Sequence, residues 1–283
     1  MLRFLSITKP GILFANIITF IAGYFVGLRQ ESGIFNIWHF IIAILGMSCV
    51  IASGCICNNC IDKDIDLLMA RTKNRLIATG KIKILHALTL ALFCFIIGLS
   101  LLFIINILSM LIAIMAFLCY VIVYSLYTKR HKSGIGIIIG ALAGAAPPVI
   151  GYTSITNSFD FIAILLFFVL FFWQIPHFHA IAIYRLIDYK NANIAVLPLR
   201  HSMFYTKLNM LFFALLFIID CILLGYFSKQ HYIYLVAIFI INMYWIYLIF
   251  QGFYITINNH IWAKKIFFIS IIVICFLSVM LCF

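Results

Sequence analysis

Nine apolar stretches, each about 20 residues long and so the length of a bilayer-crossing helix, recur along the 283-residue chain. That repetition decides the fold class. Inside lipid, backbone N–H and C=O groups have no water to bind, so only helices and closed barrels cross, and runs of this length are twice what a barrel strand needs. The stretches fall at roughly 11–28, 38–57, 84–104, 107–127, 134–152, 159–182, 207–227, 231–253 and 264–283. With 66% hydrophobic and 9% charged residues, a water-soluble fold of this size has nowhere to hide its apolar surface. The sequence therefore predicts an all-α, polytopic membrane helix bundle. No polar or Pro/Gly/Ser-rich linker is long enough to divide it, so residues 1–283 are expected to form one domain. Nine crossings place the two ends on opposite sides.

A net charge of +12 raises the question of nucleic acid, and its distribution answers it. With the N-terminus inside, the cations at Arg3 and Lys9, between 58 and 83, at 129–132, at Arg185, Lys190, Arg200 and Lys207, and at Lys264 and Lys265 all share one side. That side holds 17 of the 19 Lys and Arg, leaving Arg29 and Lys229 opposite. This is the positive-inside pattern, so the charge is topological, the acid-bearing loops are expected to be cytoplasmic, and no nucleic-acid partner is implied. The nine cysteines are odd in number and scattered, giving no disulfide framework. Cys55, Cys57 and Cys60 cluster but lack the second ligand pair of a metal site. The first apolar stretch is too long for a signal peptide and no Arg/Ser-rich transit segment precedes it, which points to a bacterial inner membrane.

Acids are scarce, seven in all, and three of them fall within Asn58-Asn59-Cys60-Ile61-Asp62-Lys63-Asp64-Ile65-Asp66. Asn58, Asp62 and Asp66 are spaced i, i+4, i+8 and form one stripe on a helix. A solvated helix end is the bland explanation, but a carboxylate cluster beside an apolar span is costly unless it binds something. Oxygen ligands in a row suit Mg²⁺, which takes one or two carboxylates and completes its shell with water and substrate phosphate. Asp188, in Tyr184-Arg185-Leu186-Ile187-Asp188-Tyr189-Lys190, adds a carboxylate from a second loop on the same side, as a second metal across a diphosphate requires. Arg71 and Arg75 are i, i+4 and are expected to point together at phosphate, with Lys73 between them. Binding to anionic lipid is the alternative. Lys129-Arg130-His131-Lys132 serves equally as a topology signal or as a phosphate contact.

Late in the sixth stretch, Trp173-Gln174-Ile175-Pro176-His177 places a proline and an imidazole in an apolar helix. His177 is either satisfied by a neighbouring group or meets a polar or metal-bearing substrate, while His179 faces elsewhere. Gly140, Gly144 and the small residues up to Pro148 suit close helix packing, with Pro147-Pro148 ending or bending the fifth span. No Walker loop, dinucleotide fingerprint or nucleophile elbow is present. A transporter would carry ionisable residues deep in its spans or inverted repeats, whereas the acids here, Asp220 apart, sit at span ends.

These blocks resemble the intramembrane UbiA-type prenyltransferases, whose first motif, N-x-x-x-D-x-x-x-D with two later arginines, is matched by Asn58, Asp62, Asp66, Arg71 and Arg75. Within that family the chain is most similar to the heme-directed branch. The similarity runs through Thr8-Lys9-Pro10-Gly11, Ala52-Ser53-Gly54-Cys55, Arg71-Thr72-Lys73-Asn74-Arg75, Tyr124-Ser125-Leu126-Tyr127, Gly144 to Gly151, the Trp173–His177 block and Asp188-Tyr189-Lys190. The last three spans carry no distinctive motif. The wider family has two acids four apart in its second motif, whereas here Tyr184 takes the earlier position and Asp188 stands alone.

The resemblance implies a bundle around a central cavity and transfer of a farnesyl group from farnesyl diphosphate to heme B, with water added. It implies Mg²⁺ as the cofactor, held by Asn58, Asp62, Asp66 and Asp188. Arg71, Lys73, Arg75, Lys129 and Arg130 are then expected on phosphate, Lys9, Lys190 and Arg200 on heme carboxylates, and His177 or His131 on heme iron. Heme would be substrate and not resident cofactor. The bilayer is a partner, and association with a heme A synthase or a terminal oxidase assembly is a further expectation. An aromatic acceptor such as a hydroxybenzoate is the rival substrate within the family.

Overall fold

The structure, a computed structural model, describes residues 6–128, 135–254 and 258–283. Among them there is no strand, and nine helices are long and apolar enough to cross a membrane. These are α1 (Pro10–Gln30), α2 (Ile37–Ile61), α3 (Ile84–Ile105), α4 (Ile107–Leu126), α5 (Gly136–Thr156), α6 (Phe161–Tyr184), α7 (Met203–Phe227), α8 (Tyr232–Gln251) and α9 (Asn259–Leu281). They coincide with the nine stretches read from hydropathy.

Short polar residues start several of them. Asn36 accepts from Trp38 N and His39 N ahead of α2, Asn106 accepts from Ser109 N in α4, and Asn258 accepts from His260 N and Ile261 N in α9. Asp160 caps α6 through Ile162 N at 2.9 Å and Ala163 N at 3.1 Å, and Tyr152 donates to its other oxygen at 2.6 Å. That acid is thereby committed to architecture. Each cap satisfies amide protons that the helix itself cannot, which near lipid have no other recourse.

Packing pairs α1 with α5, α2 with α3, and α6 with both α7 and α9, while α9 also returns to α1 and closes the bundle. Arg29 marks that closure, donating to the carbonyl of Leu281 at 3.2 Å. One apolar core joins α1 and α5 to α6–α9 around Phe217, Trp245 and Trp262, and another joins α1–α5 around Phe20, Tyr24 and Met47. A third, small cluster of Ile7, Ile56, Ile77, Ile82, Ala87 and Ala91 lies under the segment that follows α2.

The prolines of the fifth span mark a break in it, as the sequence suggested. α5 is interrupted at Ala145, and Pro147 and Pro148 stand in the first turn of the half that restarts at Ala146. There a missing N–H leaves no intrahelical bond unmade. Close backbone packing begins at Pro148: a Cβ on Gly23 would lie 1.9 Å from Pro148 O, and one on Gly151 would lie 2.2 Å from Phe20 O. Two backbones thus touch where lipid offers no hydrophobic drive for helix association. Gly23→Leu is expected to abolish folded protein, since overpacking costs about 1–3 kcal/mol even where side chains can yield and here backbone must move. Gly11→Leu, with nothing within 4 Å of its Cβ, is the tolerated control. Equal recovery of monodisperse protein for both variants would refute the contact.

Candidate active site at the rim of the bundle

α2 ends at Ile61 and a short helix, Lys63–Leu68, resumes after Asp62. The break does not disturb the stripe, because Asp62 N donates to Asn58 O at 2.9 Å and Asp66 N donates to Asp62 O at 2.8 Å. The i→i−4 ladder therefore runs through the three residues and keeps them aligned. All are buried, with Asn58 2%, Asp62 4% and Asp66 1% exposed.

The buried acid acquires its counter-charge from the next loop. Ile77 and Ile82 anchor that loop in the small apolar cluster, and Thr72 Oγ1 donates to Asp66 O at 2.9 Å. Arg75 Nη1 then reaches both Asp66 oxygens, at 2.9 and 2.8 Å. It also contacts Asn59 Oδ1 at 3.3 Å, and Asn59 in turn donates to Ile7 O at 2.8 Å. The expected helical pairing of Arg71 with Arg75 does not form. Residues 70–74 are turns, so four residues no longer return to one face; Arg71 and Lys73 are exposed while Arg75 turns inward. Lys9, expected on a heme carboxylate, donates to Asn58 Oδ1 instead. It reaches there from a left-handed backbone (φ 55°) immediately before Pro10 and α1.

Asp188, on the short helix Leu186–Asn191, is buried and accepts from Ala70 N at 3.0 Å. The two acid-bearing loops meet there, in keeping with their expected placement on one side. Lys190 and Arg200 are exposed. The sequence candidates Lys129, Arg130 and His131 lie outside the described residues.

From Asn58 a lining continues into the bundle, and its residues before His177 were not assigned roles from the sequence. Asn58 Nδ2 donates to Ser125 Oγ at 2.8 Å, and Ser125 Oγ donates to Tyr120 O at 2.9 Å. Both lie in Cys119–Thr128, where α4 widens into a π-helical segment, a feature frequent at functional sites. Tyr120 and Tyr124 stack at 5.6 Å and 13°. Tyr120 rests on Gly54 and Tyr124 on Gly140, each where a Cβ would press on the ring, and Gln174 occupies the space over Gly144. Gly140 and Gly144, read from the sequence as sites of close helix packing, thus admit side chains of the neighbouring helices. Beyond Gln174, Trp173 and His177 stack at 4.6 Å against α9. His179 does face elsewhere, with Nε2 2.9 Å from Asn209 Oδ1 on α7.

The donor set suits a hard divalent cation: carboxylate and amide oxygens at one rim, with basic side chains beside them. Among the described residues no three acids, histidines or cysteines are gathered so as to hold a metal ion by themselves.

The sequence model of the UbiA prenyltransferase family matches residues 16–272. The chain belongs to that family. Protoheme IX farnesyltransferase 2 of Pseudomonas fluorescens (strain Pf0-1) is 42% identical over 280 residues, covering 99% of this chain and 93% of the relative. The protoheme IX farnesyltransferase of Photorhabdus laumondii subsp. laumondii is 44% identical over 280 residues, covering 99% and 94%. A solved structure of a digeranylgeranylglyceryl phosphate synthase superposes with TM-score 0.80 at 21% identity, covering 99% of this chain and 96% of that one. A UbiA homolog from Archaeoglobus fulgidus bound to GPP and Mg²⁺ gives 0.70 at 16%, covering 99% of each. The UbiA fold, a multi-pass membrane bundle, is therefore this chain's fold.

In this UbiA-family chain Arg75 Nη1 spans both oxygens of Asp66, so a divalent ion that took this carboxylate would have to displace it. Arg75→Gln leaves the carboxylate buried without its cation, a loss of at least about 1–3 kcal/mol, moderated because the Arg75 side chain is 29% exposed. Thermal unfolding in detergent without substrate should show a lower midpoint for the variant and a larger gain on adding Mg²⁺ than in the parent. Equal Mg²⁺ gains would contradict the competition.

Proposed function

We propose that the chain transfers the farnesyl group of farnesyl diphosphate to a vinyl group of protoheme IX (heme B), with addition of water, giving heme O and diphosphate. The observation that carries this is the 42–44% identity with protoheme IX farnesyltransferases over 99% of the chain. The site geometry agrees with it. Breaking the allylic C–O bond leaves negative charge on diphosphate, and fixed positive groups aimed at that charge are the largest source of acceleration in such reactions.

Asn58, Asp62, Asp66 and Asp188 are the residues that would hold Mg²⁺, which supplies Lewis-acid stabilisation of the departing diphosphate. Arg75 moves from Asp66 to a phosphate oxygen, Lys9 from Asn58 to another, and Arg71 and Lys73 close from the solvent side. Tyr120 and Tyr124 bring a stacked aromatic pair to the same end of the lining as Asn58, where an allylic cation would gain from aromatic quadrupoles. The terminal vinyl carbon of heme attacks farnesyl C1, forming the new C–C bond. Water adds at the adjacent carbon and loses a proton, leaving the hydroxyl. An apolar, aromatic interior delays water until that bond exists. His177 belongs to the heme end of the lining, with Lys190 and Arg200 as partners for its carboxylates.

We read residues 1–283 as one functional unit in a bacterial inner membrane, with the N-terminus and both acid loops cytoplasmic. Association with a heme A synthase or terminal oxidase assembly is consistent with a product that stays in the bilayer.

Proteoliposomes given heme B, farnesyl diphosphate and Mg²⁺ should yield heme O by mass spectrometry. Asp62→Asn should lower the rate by about 100-fold or more with folded protein retained. Near-parental turnover by that variant in limiting Mg²⁺ would remove Asp62 from the metal site. A periplasm-active reporter fused near residue 80 should be silent, and activity there would reverse the topology.

A further inference from the structure

Ser270, fully buried on α9, decides which nitrogen of His177 carries the proton. Its Oγ lies 2.7 Å from Phe267 O and 2.6 Å from His177 Nδ1. A hydroxyl has one proton and a carbonyl can only accept, so the Ser270 proton goes to Phe267 O and the oxygen accepts from Nδ1–H. Assigned from this network, the imidazole is the Nδ1–H tautomer, and its Nε2 keeps a lone pair. The same residue holds the ring's neighbour: Ser270 O accepts from Trp173 Nε1 at 2.7 Å. Trp173 stacks on the imidazole at 4.6 Å and 23°, and Phe267 lies 5.0 Å away. The ring therefore has little freedom to turn.

Nε2 has no hydrogen-bond partner among the described residues, yet it is not one of their sealed, unbonded polar atoms. The residue as a whole is buried but not sealed, with 8% of its surface exposed. His179 differs on both counts, with Nε2 bonded to Asn209 and Nδ1 sealed. Among the described residues the ion pair of the molecule is Arg75 with Asp66, so no carboxylate partner favours a charged His177. A neutral imidazole with one nitrogen bonded and the other bare is the usual form of a histidine metal ligand. It is the wrong form to donate to a propionate.

We infer that Ser270 is a positioning residue that holds His177 in the Nδ1–H form, and that Nε2 coordinates the iron of the heme substrate. This rests on the heme reading given above. His177 lies seven residues before the end of α6, about 10 Å along the axis at 1.5 Å per residue. That depth sets the iron inside the bundle, away from the acid loops where diphosphate departs.

Protein in nanodiscs, titrated with ferric heme B, should show the absorption spectrum of an imidazole-ligated heme. His177→Ala should lose that signature, and added imidazole should restore it. Ser270→Ala should weaken heme binding about 10- to 100-fold, the usual effect of removing the group behind a metal-bound histidine, and Ser270→Thr should recover it. Mg²⁺-dependent binding of a non-hydrolysable farnesyl diphosphate analogue should be unchanged in all three. Parental affinity and spectrum in Ser270→Ala, an intact imidazole signature in His177→Ala, or joint loss of heme and analogue binding in Ser270→Ala would each overturn the inference. Spectra that follow expectation in a protein forming no heme O would uphold the coordination and remove the farnesyl transfer. Normal heme O formation with a spectrum insensitive to His177 would do the reverse.

Discussion

A carboxylate that is 1% exposed at the edge of an apolar bundle needs a cation, and Arg75 supplies one to Asp66 through two contacts of 2.8 and 2.9 Å. Much of the rim follows from this requirement. The loop that bears Arg75 must be held down, and Ile77 and Ile82 do so against Ile7 and Ile56. Asn59 then steadies the guanidinium and ties it to the segment before α1. Burying an ion pair is not in itself a source of stability, so its clearest effect is to fix Asp66 against the loop that bears Arg75.

The interior is made by unlike devices. α1 and α5 meet backbone to backbone at Gly23 and Gly151, whereas Gly140 and Gly144 on the same fifth span leave room for Tyr124 and Gln174. One helix therefore serves as a wall on one side and as a groove on the other. Lys207, whose charge reads from sequence as a loop cation, is buried and donates to Gly252 O at 2.5 Å beside the Trp262 ring. There it satisfies a carbonyl at the end of α8, where helices favour cations.

Hydropathy alone located all nine spans, because a bilayer permits few ways to satisfy a backbone. The Asn58, Asp62 and Asp66 stripe was equally legible, since an i, i+4, i+8 spacing survives a helix break that keeps its hydrogen-bond ladder. Legibility ended where local geometry departed from a helix. Arg71 and Arg75 were read as neighbours on one face, but turn backbone separates them. Tyr120, Ser125 and Ser270 carried no sequence signal of their role: a serine in an apolar run is commonplace, and only tertiary contact gives its hydroxyl a partner. Lys9 was recognised as a candidate, yet its placement beside Asn58 depends on a left-handed backbone before Pro10 that spacing does not encode.

The widened turn of Cys119–Thr128 carries a consequence for how this protein can vary. A π-helical stretch is an α-helix holding one residue too many, and each residue advances an ordinary helix by about 100°. Loss of a single amino acid there would relax the stretch to regular α-helix while swinging Ser125 away from Asn58 and Tyr124 off Gly140. Membrane insertion would register little change, since length and hydropathy are nearly the same. Insertions and deletions in this helix are therefore counted in single residues, a much finer tolerance than the bilayer imposes on any of the other crossings.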